Sequence, residues 1–227
     1  MKLINLIFPK KCVFCGEFTG GEAFCPVCAA KYEQMKLEKC KRCGEAHSAC
    51  RCRAQKLWGE RNVRARHLFA YEGEMAKSLI YKLKRRNLSS LQEFFAAELA
   101  LLIRQELRRG EKYILTYAPR SKKSVREYGF DQAELLALGA SKSFRFPMET
   151  VFERERGADT EQKTLGADER EKNAKEAFRI RKDADVEGKT LIIIDDVTTT
   201  GSTAARLCEL ALDAGAAGIV FISVAKT

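Results

Sequence analysis

Eight of the nine cysteines in this 227-residue chain fall between Cys12 and Cys52, and their spacing limits what the first quarter of the chain can become. Cys12 and Cys15, Cys25 and Cys28, and Cys40 and Cys43 are each separated by two residues, and Cys50 and Cys52 by one. A two-residue spacer lets both thiolates of a knuckle face one tetrahedral ion, and two knuckles complete a four-sulfur shell. Gly16 and Gly44 each follow the second cysteine of a knuckle, where the chain must turn under the metal. The pattern predicts structural Zn²⁺ held by Cys12, Cys15, Cys25 and Cys28, and by Cys40, Cys43, Cys50 and Cys52. His47 is an alternative ligand at the second site. Consecutive knuckles are expected to pair, with a cross-braced pairing as the alternative. Disulfides fit less well, given the paired spacing and the lack of a recognisable secretion signal. An iron–sulfur cluster is a weaker rival. Structural zinc of this kind mostly folds its own module, so the signal is strong for metal and weak for function.

Around these cysteines apolar periodicity is poor, and residues 1–56 read as a zinc-ribbon module unable to build a conventional core. Residues 57–227 read as a second domain. His67–Tyr71 is strand-like, and Met75, Leu79, Ile80 and Leu83 recur at helical spacing. Leu91–Leu107 repeats the helical pattern, Tyr113–Tyr117 is strand-like, and Asp131–Phe144 is helical again. Arg154–Lys175 is charged and weakly patterned, a long loop. Leu191–Ile194 and Ile219–Val224 are unbroken apolar runs of the sort buried in a parallel sheet, with an amphipathic helix over Thr203–Ala214 between them. Strands and helices in alternation imply an α/β fold with a mostly parallel sheet. Cys208 lies within the last helix and reads as a small buried hydrophobe.

Charge is unevenly spread. Residues 1–130 hold 27 Lys and Arg against 13 Asp and Glu, whereas residues 131–227 hold 14 against 18. A basic front half suits a polyanion such as nucleic acid, although lysines and arginines on solvated helix faces give the same count. Lys82, Lys84, Arg85 and Arg86 form a dense cluster beside Tyr81, where cations can follow a phosphate backbone and the ring can stack a base. An exposed basic helix end is the competing explanation. No apolar stretch is long enough to cross a bilayer, so membrane insertion is not expected and the cytoplasm is the expected address.

The sharpest motif follows the first apolar run: Asp195-Asp196-Val197-Thr198-Thr199-Thr200-Gly201-Ser202-Thr203. A buried strand ends in two acids, and a turn rich in hydroxyls leads into a helix. N–H groups at the turn and the helix start form an anion nest, and Gly201 lets the backbone approach a phosphate. Two adjacent carboxylates suit the two hydroxyls of a ribose, and the carboxyl end of a parallel strand is where α/β sheets bind ligands. No Gly-Lys pair precedes the hydroxyls, which excludes a Walker A loop.

This segment resembles the phosphoribosyl-pyrophosphate (PRPP) signature of type I phosphoribosyltransferases. With the cysteine head, the chain resembles the ComF family over most of its length. Further matching segments are Tyr71-Glu72-Gly73 leading to Lys82, Ala118-Pro119-Arg120 followed by Gly129-Phe130-Asp131-Gln132, and Gln162 to Asn173 with Ala177-Phe178. The resemblance implies a type I phosphoribosyltransferase-like fold, a Rossmann-like parallel sheet with flanking helices behind a small zinc-ribbon module. It implies that Asp195 and Asp196 contact ribose and Thr199–Thr203 hold the 5-phosphate, with Mg²⁺ accompanying PRPP. Pro119, Arg120, Lys122, Lys123 and Arg126 are the candidates for a pyrophosphate loop, and the Ala118–Pro119 bond is a candidate cis peptide. Residues 162–173 would form a hood over the site. Tyr128 and Asp131 depart from the family's usual arginine and asparagine, each lowering positive charge beside that loop. The resemblance further implies a role in natural transformation, handling single-stranded DNA with a ComFA-like helicase. An active phosphoribosyltransferase, and a PRPP or nucleotide sensor docking a protein through its zinc head, stay open as alternatives. No residue presents itself as a general base.

Overall fold

The unbroken apolar runs lie where such runs must, inside a parallel sheet covered on both faces. In the computed structural model, which describes residues 10–53, 62–154 and 177–227, four parallel strands stand in the order β1-β6-β5-β2. They are β1 (Val63–Ala70), β2 (Tyr113–Tyr117), β5 (Thr190–Thr198) and β6 (Gly218–Lys226). A short antiparallel pair, β3 (Phe152–Arg154) and β4 (Phe178–Ile180), stands apart. The helices are α1 (Pro26–Leu37), α2 (Gly73–Arg85), α3 (Ser89–Glu106), α4 (Lys122–Tyr128), α5 (Gln132–Ser141) and α6 (Ser202–Asp213).

Side chains alternate across a strand, and the two central strands show it. Ile192, Ile194, Val220 and Ile222 enter one core with Leu79, Phe95, Leu99 and Leu136 of α2, α3 and α5. Leu191, Ile193, Ile219 and Phe221 enter the other with Leu207, Cys208 and Ala211 of α6, and with Phe152 and Phe178 of the small sheet. Burying one such Leu or Ile fully stabilises the fold by about 1.5–3 kcal/mol. Gly139 of α5 lets this helix close on α3, since a Cβ there would stand 2.6 Å from the Ala96 Cβ.

Three expectations need correction. The head does contribute to a conventional core: Val13, Phe24, Tyr32 and Met35 are buried in the same cluster as Phe95 and Ile222. Tyr32 is 1% exposed, stacked on Phe24 at 5.5 Å and met edge-on by Phe94 at 5.0 Å. The apolar residues of this helix are spread around it, with Val27 and Leu37 exposed, so α1 escapes an apolar-periodicity reading; three buried positions, Cys28, Tyr32 and Met35, suffice to seat it. Second, β1 begins at Val63, ahead of His67. Arg64 and Arg66 interrupt the apolar pattern but pair with Glu106 at 3.6 and 2.8 Å, so the strand tolerates them. Third, β5 runs on through Asp195 and Asp196 to Thr198, still in register with β6 as far as Lys226. The two acids are therefore within the strand rather than after it. The proposed hood at residues 162–173, most of the loop at 154–175, and the boundary between residues 56 and 57 lie outside the described residues. No helix among the described residues is long and apolar enough to cross a membrane.

Candidate functional site

The cysteines form two groups, Cys12, Cys15, Cys25 and Cys28, and Cys40, Cys43, Cys50 and Cys52, with the ligand atoms in each all within 4.8 Å of one another. Cys15 and Cys25 sulfurs stand 3.7 Å apart, as do those of Cys43 and Cys50. Sulfurs about 2.3 Å from a tetrahedral Zn²⁺ are about 3.8 Å from each other, so the residues fit the ion. A disulfide needs about 2.05 Å, and every one of these cysteines is unbridged. Pairing is by consecutive knuckles. The first knuckle of each site turns on a left-handed glycine, Gly16 at φ 85° and Gly44 at φ 75°. At Cys12, burial pushes the thiol up, but N–H groups of Cys15, Cys25 and Phe14 outweigh it and bring it to about 6. His47 is not a fourth ligand: its Nδ1 faces the Nε2 of His67 at 3.1 Å. These are the chain's two histidines.

Asp195 and Asp196 leave β5 as neighbours in a strand do, toward opposite faces. Asp196 is 5% exposed and takes two side-chain contacts, one from α5 and one from α2. Gln132 Nε2 donates to its Oδ2, and Lys84 Nζ lies 3.3 Å from its Oδ1. Gln132 Oε1 in turn accepts from Arg120 Nη1 at 2.7 Å. Asp195 is half-buried and accepts from the Asp196 N–H at 2.7 Å. Desolvation, and then repulsion from Asp196, raise its carboxyl well above the usual range. Beyond the acids, Thr198 Oγ1 is buried with no hydrogen-bond partner among the described residues. Thr199 and Thr200 are exposed, and Gly201 at φ 84° turns the chain into α6. The Thr200 and Ser202 hydroxyls are 3.0 Å apart at the head of that helix, whose first N–H groups have no intrahelical acceptor. The segment thus presents hydroxyls and free amides together, an anion-binding arrangement.

The other candidates separate. Pro119 is in a trans peptide bond. Asp131 is buried as the N-cap of α5, accepting from Ala133 and Glu134 N–H groups, and it also takes the Arg120 N–H at 2.6 Å. Burial raises its carboxyl despite these donors. An asparagine would cap equally well. Ser121 caps α4, which carries Lys122, Lys123 and Arg126. Tyr128 receives Arg120 at 4.6 Å and Arg85 at 5.4 Å over its ring. Lys82 is not free for a ligand; its Nζ donates to the Val13 and Phe14 carbonyls at 2.7 and 3.0 Å, tying α2 to the first ribbon. Sequence reasoning missed the role of Gln132, although it quoted the Gly-Phe-Asp-Gln segment; a buried amide between a cation and an acid shows itself only in three dimensions. It also missed a cleft of about 450 Å³ beside Thr199 and Thr200, walled by the second ribbon, His47, His67 and Lys226.

A family model for the double zinc ribbon domain matches residues 3–59. The chain is 24% identical to the competence protein ComFC of Streptococcus pneumoniae, over 95% of this chain and all of that protein. It is 34% identical to the DNA utilization protein YhgH of Escherichia coli K12 over 99 residues, 44% of this chain and 43% of that protein. Among solved structures, glutamine PRPP amidotransferase from B. subtilis, complexed with ADP and GMP, overlays with a TM-score of 0.43 at 16% identity, covering 63% of this chain and 30% of that one. With its double zinc ribbon, its parallel α/β sheet and its similarity to ComFC along nearly the whole chain, the protein is ComFC-like.

Proposed function

We propose that the protein binds PRPP, or a related ribose 5-phosphate ligand, on the Asp195–Thr203 segment and handles single-stranded DNA during natural transformation, with a ComFA-like helicase as partner. One observation carries the ligand reading: an acid pair near the carboxyl end of a central parallel strand runs through a left-handed Gly201 into the open N–H groups of α6. Thr199, Thr200, Ser202 and Thr203 surround the phosphate, and charge-assisted bonds to it are about twice as strong as neutral ones. Asp195 offers its carboxylate to a ribose hydroxyl. Asp196 acts from behind, holding Lys84 and Gln132 in place. Arg120, Lys122, Lys123 and Arg126 stand toward the pyrophosphate, whose charge Mg²⁺ would neutralise. The DNA reading is supported by the basic front half and by relatives described as competence and DNA utilization proteins.

Calorimetry with PRPP and Mg²⁺ tests the ligand reading. Wild type should bind, and Asp195→Asn/Asp196→Asn should bind at least tenfold more weakly; no heat with wild type would refute it. An active phosphoribosyltransferase is the second reading, favoured by the cleft beside Thr199 and Thr200, which has room for an acceptor. Pyrophosphate release from PRPP in the presence of candidate bases decides it.

A further inference from the structure

Three hollows on one side of the molecule share their walls end to end. The cleft beside Thr199 and Thr200 is bounded by Arg42 and Arg53. A second hollow of about 510 Å³, formed by the second ribbon, shares both and adds Arg51. A third, of about 210 Å³, shares Arg51 and Arg53 and ends at Arg64 on the sheet's edge strand β1. Neighbouring hollows thus meet at arginines, Arg42 and Arg53 between the first two and Arg51 and Arg53 between the last two. Four acids also line the hollows, Glu38, Glu45, Glu72 and Glu106. Two of them are matched, Glu72 by Lys41 at 2.8 Å and Glu106 by Arg51, Arg64 and Arg66 at 3.2, 3.6 and 2.8 Å. Lys39, Lys41, Lys226 and the four arginines outnumber them. Arg51 keeps 62% of its side chain exposed while doing so.

Guanidinium groups recognise phosphate by paired donors, and a recessed row of them follows a flexible backbone better than a rigid duplex. Arg42 and Arg53 are themselves anchored, donating to the Arg53 and Val63 carbonyls at 3.3 and 3.4 Å, and they line the recess; the cations of α2 are engaged as well. Lys82 is bound to the first ribbon, Lys84 to Asp196, and Arg85 lies over the rings of Tyr81 and Tyr128. We infer that single-stranded nucleic acid runs along the second ribbon, its phosphates on Arg42, Arg51 and Arg53, in a groove that opens at one end onto the ribose-phosphate loop. This inference rests on the DNA-handling reading above and gives it a location.

The test is fluorescence anisotropy of an oligothymidylate with the zinc-loaded full chain across a salt series. Arg42→Ala/Arg51→Ala should weaken binding about tenfold and flatten the slope of log affinity against log salt by about 1.4, two phosphate contacts at about 0.7 each. Lys142→Ala/Arg145→Ala, which removes the same charge away from the groove, should leave both unchanged. Glu106 keeps Arg66 at 2.8 Å when Arg51 is removed, so the double variant should fold, and its zinc content reports this. If it loses zinc, the single variant Arg42→Ala, at an exposed position, is read instead, with half the change in slope. Equal loss in both double variants, or loss confined to Arg85→Ala/Arg86→Ala, would overturn the groove. Wild type failing to bind at all would overturn the DNA reading itself.

Discussion

The two zinc ribbons begin alike and end differently. In each, the first cysteine's N–H donates to the carbonyl five residues on, Cys12 to Glu17 at 2.7 Å and Cys40 to Glu45 at 2.8 Å. In each, a left-handed glycine returns its N–H to that same cysteine's carbonyl, and one antiparallel bridge closes the loop. The first ribbon then runs into α1, and Tyr32 and Met35 join the main core. The second closes on Cys50-Arg51-Cys52 and meets the sheet through polar groups: Arg66 to Ser48 O at 2.6 Å, Lys226 to Cys52 O at 2.9 Å, and His47 to His67. Apolar burial is non-directional and makes the first ribbon part of the fold. A polar seam fixes orientation and leaves charge at the surface.

The contrast breaks most directly at the metal. Cys12→Ser should cost several kcal/mol of unfolding stability and much of the soluble yield, because zinc binding is folding energy and this zinc organises residues inside the main core. Cys43→Ser should lose one zinc and leave the sheet's unfolding midpoint nearly intact. Zinc content and urea denaturation followed by circular dichroism read both; equal destabilisation would mean that the ribbons are energetically alike. Next in size is the polar seam. Glu106 has 1% of its side chain exposed and faces three arginines, so Glu106→Gln leaves buried Arg66 uncompensated. Breaking a buried pair on one side costs about 3–5 kcal/mol. A change under 1 kcal/mol in the unfolding free energy would show that the seam is dispensable.

The same contrast explains what the sequence could tell. Cysteine spacing fixes local geometry within a few residues, so the knuckles themselves were legible, whereas the choice between consecutive and cross-braced pairing, and between Cys and His47 at the second site, needed the fold. The apolar runs Leu191–Ile194 and Ile219–Val224 were legible because a strand buried on both faces needs no partner to declare itself. What escaped depends on contacts distant in sequence. Arg66 reads as a solvated charge until Glu106, forty residues on, is folded against it. Lys82 reads as a DNA contact until the Val13 and Phe14 carbonyls arrive from the head. Asp195 and Asp196 read as a pair, and the register with β6 parts them: one remains half-exposed, the other is buried on Gln132 and Lys84.

The smallest predicted effect probes the seam through its histidines. His67 is 2% exposed, and burial, with Lys226, His47 and Arg66 nearby, holds its imidazole down at about 3. In the unfolded chain it titrates near 6.5. As pH falls below 6.5 the unfolded state takes up this proton first, so stability that is full above 6.5 declines until the folded value is reached. Between pH 6.5 and 5, where the decline is still partial at its upper end, one such histidine accounts for about 1.5 kcal/mol. His67→Gln, neutral throughout and able to face His47, should lose that much less over the same interval in urea denaturation at matched zinc content. Parallel decline of wild type and variant would place the acid sensitivity at the thiolates and remove His67 from the seam's pH response.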